Sequence, residues 1–541
     1  MTIWGKMELK KNTTNPAQAG TKCPVCDRYI ETNLGAHIRK VHGEKKLRQV
    51  VLAAKEQGMP DAEIGARYGV SFNYLQQIIT EAYGANISVL KRPKRIKRWQ
   101  PKDFREETTT VWSFEQRGDW ATHNGRYRGN WSPYIPRNII LKYSKPGDVV
   151  LDYFVGGGTT AIEAKLLGRR CIAKDINPGA IGITLENLNF VPPRQLLDES
   201  VRTFYEPKVY VGDARDLSEI PDNSVDLICA HPPYAGIIKY STNVEGDLSK
   251  CSLPEFLFEM GKVARESLRV LKPGGKCAIL IGDARKAKHV VPIGFQTIRV
   301  FLDAGFILRE LVIKRQHHCK TTGFWYARSI KYNFLLLAHE YLPIFEKPKF
   351  DRISEQLSFW EYALPCQPTV SKAQAVEEEA ETTTVWIFPP GQLESKIRRN
   401  LLRRFAKLGS NFIEITIGKG QPSQQLKAAP GASLVYVKPP SKLADAKSIT
   451  GYRFTVRRIA KQASQILSDG EFLVIETRDI RIGNTLQPLA LLLWEELSNN
   501  KDFALKEIVI VVSEEPPADT HNEHLQISHR YLLIYRKRRA K

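Results

Sequence analysis

Long apolar runs are missing from this chain. No stretch of the 541 residues could span a bilayer and no charged-then-apolar leader follows Met1, so a soluble, cytoplasmic protein without a membrane partner is expected. Cysteine is scarce. Eight in this length cannot build a disulfide framework, and Cys171, Cys229, Cys251, Cys277, Cys319 and Cys366 lack metal-ligand spacing, which points to a reducing compartment. Acid is short as well: 58 Asp and Glu face 80 Lys and Arg, and the net charge of +22 favours a polyanionic partner. The excess is localised, because residues 1–105 carry 20 Lys and Arg against 9 acids, whereas generic solubility charge would be spread evenly. At 42% hydrophobic and 26% charged, the composition is that of folded protein. The length exceeds one core and implies about two to four domains.

After a flexible N-terminus (1–20), Cys23-Pro24-Val25-Cys26 with His37 and His42 sets the spacing C-x2-C-x10-H-x4-H over 21–46. Four such ligands suit tetrahedral Zn2+, with Tyr29 and Leu34 available as a small apolar core. The module resembles the prokaryotic C2H2 zinc fingers of the Ros/MucR type, which implies DNA binding; a zinc-stapled fold that packs on protein is the alternative. A unit this small needs its metal to fold. Over 47–90, helical spacing from Leu47 to Lys55, at Ile64 and Ala66, and at Leu75, Ile78 and Ile79 looks like a helix-turn-helix, with Gly69 as breaker and Asp61 and Ser71 as caps. Its second helix would offer Ser71, Asn73, Tyr74 and Gln77 to a major groove, although a plain helical hairpin shares the pattern. Residues 91–106 form a basic linker. Its Arg92 and Arg95 suit phosphates or a minor groove, and a solvated tether reads the same way.

From Val149 apolar strands alternate with helices, the pattern of a Rossmann-like, doubly wound α/β sheet. Val150-Leu151-Asp152-Tyr153-Phe154-Val155-Gly156-Gly157-Gly158-Thr159-Thr160 places glycines directly after the first strand, where backbone can approach a ligand at a helix N-terminus. Asp175 closes the second strand, where an acid usually holds ribose hydroxyls, and Asp213 follows the third. After the strand Val225 to Ala230 stands His231-Pro232-Pro233-Tyr234. Two prolines end a ladder in a rigid elbow. Its flanks can accept hydrogen bonds from an exocyclic amino group and stack on a flat base.

Together with Asn130-Trp131-Ser132-Pro133-Tyr134-Ile135-Pro136 upstream and Lys272-Pro273-Gly274-Gly275, Asp283-Ala284-Arg285 and Phe334 to Tyr341 downstream, these motifs resemble the S-adenosylmethionine-dependent DNA amino-methyltransferases of the adenine-N6 and cytosine-N4 family over 107–348. The resemblance implies methyl transfer from S-adenosyl-L-methionine to an amino nitrogen of a base flipped onto the elbow. It places Gly156, Gly157, Thr159 and Thr160 around the carboxypropyl group of the cofactor, Asp152 near its amino group, Asp175 on the ribose and Asp213 by the adenine, with Phe154 and Asn177 in the same site. His231, Pro232, Pro233 and Tyr234 are the expected catalytic residues. His231 departs from the family, which carries Asp, Asn or Ser there, and imidazole accepts only when neutral. Double-stranded DNA is the implied partner, in a prokaryotic, nucleoid-associated setting with room for a cognate restriction endonuclease; oligomeric state stays open. A DNA-binding regulator with a vestigial methyltransferase fold and an RNA N-methyltransferase are the competing readings.

Beyond a linker at 349–380, whose acidic run Ala373 to Glu379 suggests a hinge, the chain repeats itself. Glu107-Thr108-Thr109-Thr110-Val111-Trp112 recurs as Glu381-Thr382-Thr383-Thr384-Val385-Trp386, and His339-Glu340-Tyr341-Leu342 as His529-Arg530-Tyr531-Leu532. Residues 381–541 therefore read as a degenerate second methyltransferase copy. Lys438-Pro439-Pro440-Ser441 stands in its elbow, Ile417-Gly418-Lys419-Gly420 in its glycine loop, and Lys396, Arg398, Arg399, Arg403 and Arg404 are available to grip DNA or simply to pack.

Overall fold

The computed structural model describes residues 21–31, 33–57, 59–82, 93–191, 203–234, 244–317, 322–349, 362–419, 431–514 and 523–539. It divides into two units, residues 1–104 with 117–279 and residues 105–116 with 280–541. Among the described residues no helix is long and apolar enough to cross a membrane.

The first unit opens on a ribbon in which Thr21–Lys22 pairs antiparallel with Tyr29–Ile30, followed by the helix Leu34–His42. Asn33 caps that helix, its side chain accepting from the Ala36 amide at 2.9 Å. The expected small core is only half there. Leu34 is buried with Cys23 and Ile38, but Tyr29, on a two-residue strand with nothing packed over it, is 72% exposed. Three helices follow, Glu44–Glu56, Asp61–Tyr68 and Phe72–Ala82, and they bury Leu47, Val51, Ile64, Leu75, Ile78 and Ile79 against one another, as their spacing requires. Gly69 has φ +60°, and a Cβ there would fall 2.1 Å from Asn33, so the turn needs glycine. Ser71 caps the last helix through the Tyr74 amide at 3.2 Å. Asp61 does not cap: Pro60 holds that position, and the Asp61 carboxylate is instead bound by Lys55 at 2.5 Å.

The basic linker is not wholly a free arm. Lys94–Arg95 pairs parallel with Phe190–Val191, using backbone groups that side-chain composition does not report. Arg92 lies outside the described residues.

Five parallel strands form the sheet of this unit, in the order Leu271–Ile279, Val225–Ala230, Val149–Asp152, Arg170–Asp175, Lys208–Val211. The chain starts in the middle, moves outward one way, then returns to the other side. That reversal places the carboxyl ends of Val149–Asp152 and Val225–Ala230 side by side at a topological switch point, with Leu151 opposite Ile228. Val150, Leu151, Leu227 and Ile228 are fully buried, each worth about 1.5–3 kcal/mol of apolar burial.

In the second unit, Val111–Ser113 runs parallel to Ile307–Arg315, which pairs antiparallel with His339–Glu346. A seven-stranded sheet follows the order Cys366–Lys372, Asn411–Ile417, Ala432–Lys438, Leu467–Thr477, His529–Lys537, Phe503–Ser513, Val385–Phe388. Its first strand falls inside the expected linker. Cys366–Lys372 is a largely polar edge strand with Val370 exposed, so no hydrophobic alternation announced it. The acidic run beside it is tied rather than loose: Glu378 binds Lys396 at 2.9 Å and Arg399 at 2.7 Å.

The repeated hexapeptide meets its echo by exchange. The Thr110 hydroxyl lies 2.8 Å from Nδ1 of His529, and Thr384 lies 2.9 Å from Nδ1 of His339. Each histidine continues to a tyrosine, Tyr531 at 2.9 Å and Tyr341 at 3.0 Å, and each tyrosine hydroxyl donates to an aspartate, Asp479 at 3.1 Å and Asp283 at 3.2 Å. Ion pairs cross in the same way, Arg285 with the buried Glu507 at 2.5 Å and Arg481 with the buried Glu310 at 2.6 Å. Seven residues beyond the corresponding prolines Pro292 and Pro488, Arg299 meets Glu495 at 2.6 Å. Two identical halves would oppose like charges there. These two have diverged into a pair.

Candidate active site

The strand Val225–Ala230 is buried nearly end to end, so its exit is rigid and His231-Pro232-Pro233-Tyr234 projects from a fixed point. The His231 ring stacks on Trp131 with centroids 5.5 Å apart and planes 24° from parallel. Its Nε2 lies 3.1 Å from the Tyr234 hydroxyl. Trp131 thus braces the elbow from the segment upstream of the first strand.

The glycine loop is held by side chains on two elements, the strand Arg170–Asp175 and the helix Pro178–Leu188. The Gly156 amide donates to Asp175 at 2.9 Å, the Thr184 hydroxyl donates to the Gly156 carbonyl at 2.9 Å, and Asn187 donates to the Gly157 carbonyl at 2.8 Å. Gly156 has φ +53°, and a Cβ there would sit 2.8 Å from Tyr127, so only glycine closes this turn. Elbow and loop border one cavity of about 730 Å³, partly open to solvent. Phe154, Gly156, Asp175, Asn177, Asp213, His231 and Pro233 line it, joined by Tyr127, Asn130, Trp131, Gly246 and Asp247.

The remaining expected residues stand behind that wall. Thr159 donates to Asn130 at 2.6 Å, and Thr160 faces the Cys229 carbonyl at 3.5 Å, both fully buried. Asp152 is buried and accepts from the Phe154 amide at 3.0 Å, setting the loop rather than facing the cavity. Gly157, Pro232 and Tyr234 do not line it either. Asp213 is engaged by Arg215, which holds both carboxylate oxygens at 2.6–3.0 Å and is itself anchored to Glu259 at 2.6 Å.

The wall is acidic and its acids are poorly hydrated. Burial pushes Asp152 up to about 7 and Asp175 up to about 6, the latter against two backbone hydrogen bonds and with repulsion from Asp247. Three carboxylates on one cavity suit hydroxyl and ammonium donors and repel phosphate. Asp247 was not legible in the sequence: it opens the 3-10 turn Leu248–Lys250, where its side chain accepts from the Ser249 amide at 2.9 Å, and no motif surrounds it.

A buried carboxylate supports the cavity from behind. Glu163, on the helix Thr159–Leu166 that follows the glycine loop, accepts from Trp120 at 2.6 Å, His123 at 2.7 Å and Arg137 at 2.9 Å. Burial alone would raise it, but those partners outweigh burial and hold it below the usual carboxylate range. Burial holds His123 low and therefore neutral, so its Nε2–H is the donor. Trp120, His123 and Arg137 flank Tyr127, Asn130 and Trp131 in sequence, and Glu163 thereby anchors both ends of the segment that lines the cavity.

At the other end of this unit, one ligand atom from each of Cys23, Cys26, His37 and His42 falls within 4.8 Å of the others. Cys26 Sγ lies 3.4 Å from His37 Nε2, and Cys23 Sγ 4.0 Å from His42 Nε2. Bonds of about 2.3 Å to sulfur and 2.0–2.1 Å to nitrogen around one tetrahedral ion require separations of this size, so the donor set fits zinc. On the last helix of the following bundle, Ser71 and Gln77 are exposed. Tyr74 is half-buried, its hydroxyl on Glu44 and its ring 5.0 Å from the Arg39 guanidinium. Arg95 is exposed, and the side chain of Asn73 lies outside the described residues.

Residues 20–186 and 225–417, more than half of the chain, match the N6/N4-type family model described as DNA methylase. The chain belongs to the DNA methylase family. Among curated relatives of this chain, Type II methyltransferase M.MthZI of Methanothermobacter thermautotrophicus is 28% identical over 159 residues, 26% of this chain and 44% of that protein. Type II methyltransferase M.BamHI of Bacillus amyloliquefaciens is 34% identical over 160 residues, 27% of this chain and 37% of that protein. A tRNA (guanine(10)-N2)-dimethyltransferase of Methanothermobacter thermautotrophicus is 36% identical over 132 residues, 24% of this chain and 34% of that protein. The matched segments span less than half the length of each relative.

The chain carries a second elbow, at the end of Ala432–Lys438. Ile413 pairs with Val435, three residues before Lys438, just as Leu151 pairs with Ile228, three residues before His231. By that register Glu414 corresponds to Asp152 and Gly418 to Gly156. Lys438 is bound by Glu414 at 3.1 Å and Glu394 at 3.2 Å, and Arg530 reaches Glu394 and Glu476 at 2.8 Å each. Ion pairs surround the second elbow, and only 13 residues separate Gly418 from Ala432, too few for the strands that carry Asp175 and Asp213 in the first unit.

Proposed function

We propose that the chain is an S-adenosylmethionine-dependent DNA amino-methyltransferase acting on adenine N6 or cytosine N4. The observation that carries this is the meeting of elbow and glycine loop at adjacent strand ends on one acidic cavity. Asp175, Gly156, Phe154, Asn177 and Asp213 would hold the cofactor, whose ammonium and ribose hydroxyls match carboxylate acceptors. When bound, S-adenosylmethionine supplies an electrophilic methyl group. The chain's own task is positioning: the elbow holds the amino nitrogen in line and accepts its hydrogens, freeing the lone pair. His231, braced by Trp131 and Tyr234, is the side-chain acceptor, and the flipped base stacks on the aromatic face beside it. No covalent nucleophile is needed, and Cys171, Cys229 and Cys277 are buried, their thiols pushed up by that burial.

Zinc on Cys23, Cys26, His37 and His42 would fold the N-terminal module, with Ser71, Gln77 and Arg95 on its DNA-facing side. Residues 381–541 would be a noncatalytic copy, its elbow closed by ion pairs. The tRNA methyltransferase among the relatives favours a second reading, RNA N-methylation.

The deciding experiment treats DNA and RNA with methyl-labelled cofactor and identifies the modified nucleoside. N6-methyladenine or N4-methylcytosine in DNA is the expected product, and label confined to RNA selects the second reading. His231→Ala and Tyr234→Ala should each abolish transfer while cofactor still binds. Full turnover by His231→Ala would move the acceptor role to a backbone carbonyl of the elbow.

A further inference from the structure

Single exposed hydrophobic side chains are ordinary, but a cluster of them is not. Five of the eleven large exposed hydrophobics among the described residues lie within nine positions of one another: Phe324, Trp325, Tyr326, Ile330 and Tyr332, from 40% exposed at Trp325 to 64% at Phe324. Four belong to the helix Thr322–Lys331, inserted between the antiparallel strands Ile307–Arg315 and His339–Glu346, and Tyr332 follows directly. The charge around them has one sign. Between Glu310 and Glu340 there is no acid, while Lys314, Arg315, Lys320, Arg328 and Lys331 all fall in that interval.

The cations lie against the rings. The Arg328 guanidinium is 4.6 Å from the Phe324 centroid and 5.1 Å from that of Trp325, and Lys288 lies 4.0 Å from the Tyr332 ring. Tyr332 also borders a groove of about 630 Å³ with Arg404, Lys407, Lys506 and Arg536, in which Glu471 is the one acid and is bound to Lys407 at 2.6 Å. Burial, helped by Arg285, Arg536 and Lys288, holds Lys506 down to about 8 against the attraction of the buried Glu507. The corresponding hairpin of the second half carries the reverse composition: residues 514–524 hold Glu514, Glu515, Asp519 and Glu523, no Lys or Arg and no Phe, Trp or Tyr.

We infer that the helix Thr322–Lys331 and the adjoining groove form a DNA-docking surface, on which Arg328, Lys331, Lys288 and the groove residues Lys506 and Arg536 take backbone phosphates while Phe324 and Trp325 stack on bases splayed from the duplex. The inference rests on the reading of the chain as a DNA methyltransferase. Phosphate is recognised by cations without a carboxylate partner and bases by exposed aromatic rings; Arg328, Lys331 and Lys288 form no ion pair among the described residues, and the exposed Phe324 and Trp325 stand beside them.

The full-length chain is titrated against a fluorescent 30-base-pair duplex of mixed sequence at several salt concentrations. Phe324→Ala/Trp325→Ala should weaken binding about tenfold or more. Arg328→Gln/Lys331→Gln should lower the salt slope by nearly two, since each lost phosphate contact removes about 0.9. Cofactor affinity and melting temperature should not move in either variant. Duplex affinity within twofold of the parent in both variants overturns the docking surface while leaving methyl transfer by the parent intact. A dimeric parent that Trp325→Ala turns monomeric assigns the surface to a second copy and also overturns it. A parent that neither binds nor methylates DNA refutes the functional reading itself.

Discussion

Replacing Glu163 with alanine should damage the protein twice over, in stability and in the cavity. Its carboxylate is wholly buried and satisfies Trp120, His123 and Arg137 at 2.6–2.9 Å. Arg137 is itself buried, and among the described residues Glu163 is the carboxylate that pairs with it. Removing one partner of such a pair leaves an uncompensated charge, a loss of about 3–5 kcal/mol. For a unit of this size that corresponds to a melting temperature lower by at least about 6 °C. Glu163→Gln keeps an acceptor for Trp120 and His123 but turns an amide toward Arg137, so it should fall between the parent and the alanine variant. Because the three donors flank Tyr127, Asn130 and Trp131, cofactor affinity should drop about tenfold with Glu163→Ala. Differential scanning fluorimetry and calorimetric titration with S-adenosylmethionine read both effects. A melting shift below 2 °C with unchanged cofactor affinity would refute the claim that Glu163 holds that segment.

Three further outcomes are expected. Stripping metal with a chelator, or Cys23→Ser, should unfold residues 21–43 and expose them to protease, and protection that survives metal removal would show that the module folds without zinc. Arg285→Ala should cost about 3–5 kcal/mol by removing the ion-pair partner of the buried Glu507, and Arg481→Ala should cost less because Glu310 keeps His524 at 3.1 Å; an equal or larger loss for Arg481→Ala in chemical denaturation would contradict that ordering. Asp175 sits at about 6 in the folded chain against 3.8 when free, so its contribution is complete below pH 4 and is lost as pH rises through 6; Asp175→Asn should flatten the stability decline over that window, and an unaltered pH profile would argue against the burial of its charge.

The resemblance of the elbow, the glycine loop and Asp175 to one family was readable because each is a contiguous motif on a strand end, where local chain geometry dictates residue type. The Cys and His spacing was readable for the same reason. Misreadings fell where a neighbour distant in sequence intervened. Asp61 looked like a cap until Lys55 took its carboxylate, and Cys366–Lys372 looked like linker because an edge strand needs no apolar stripe. Glu163 and Asp247 carried no motif at all. A lone carboxylate in a helix, or before one 3-10 turn, is indistinguishable in sequence from a solvated one.

Sequence by itself determined the alternation of strands and helices, the Cys and His spacing at Cys23, Cys26, His37 and His42, and the recurrence of Glu-Thr-Thr-Thr-Val-Trp, since all three depend on spacing along one chain. Only the tertiary structure decided why that hexapeptide is kept. Thr110 serves His529 and Thr384 serves His339, a reciprocal bond that neither half could make alone and that no local pattern encodes. The strand order likewise decided the site: reversal at the middle of the sheet brings Asp152 and His231, far apart in sequence, to neighbouring strand ends, because a cavity forms where parallel strands diverge from a common switch point.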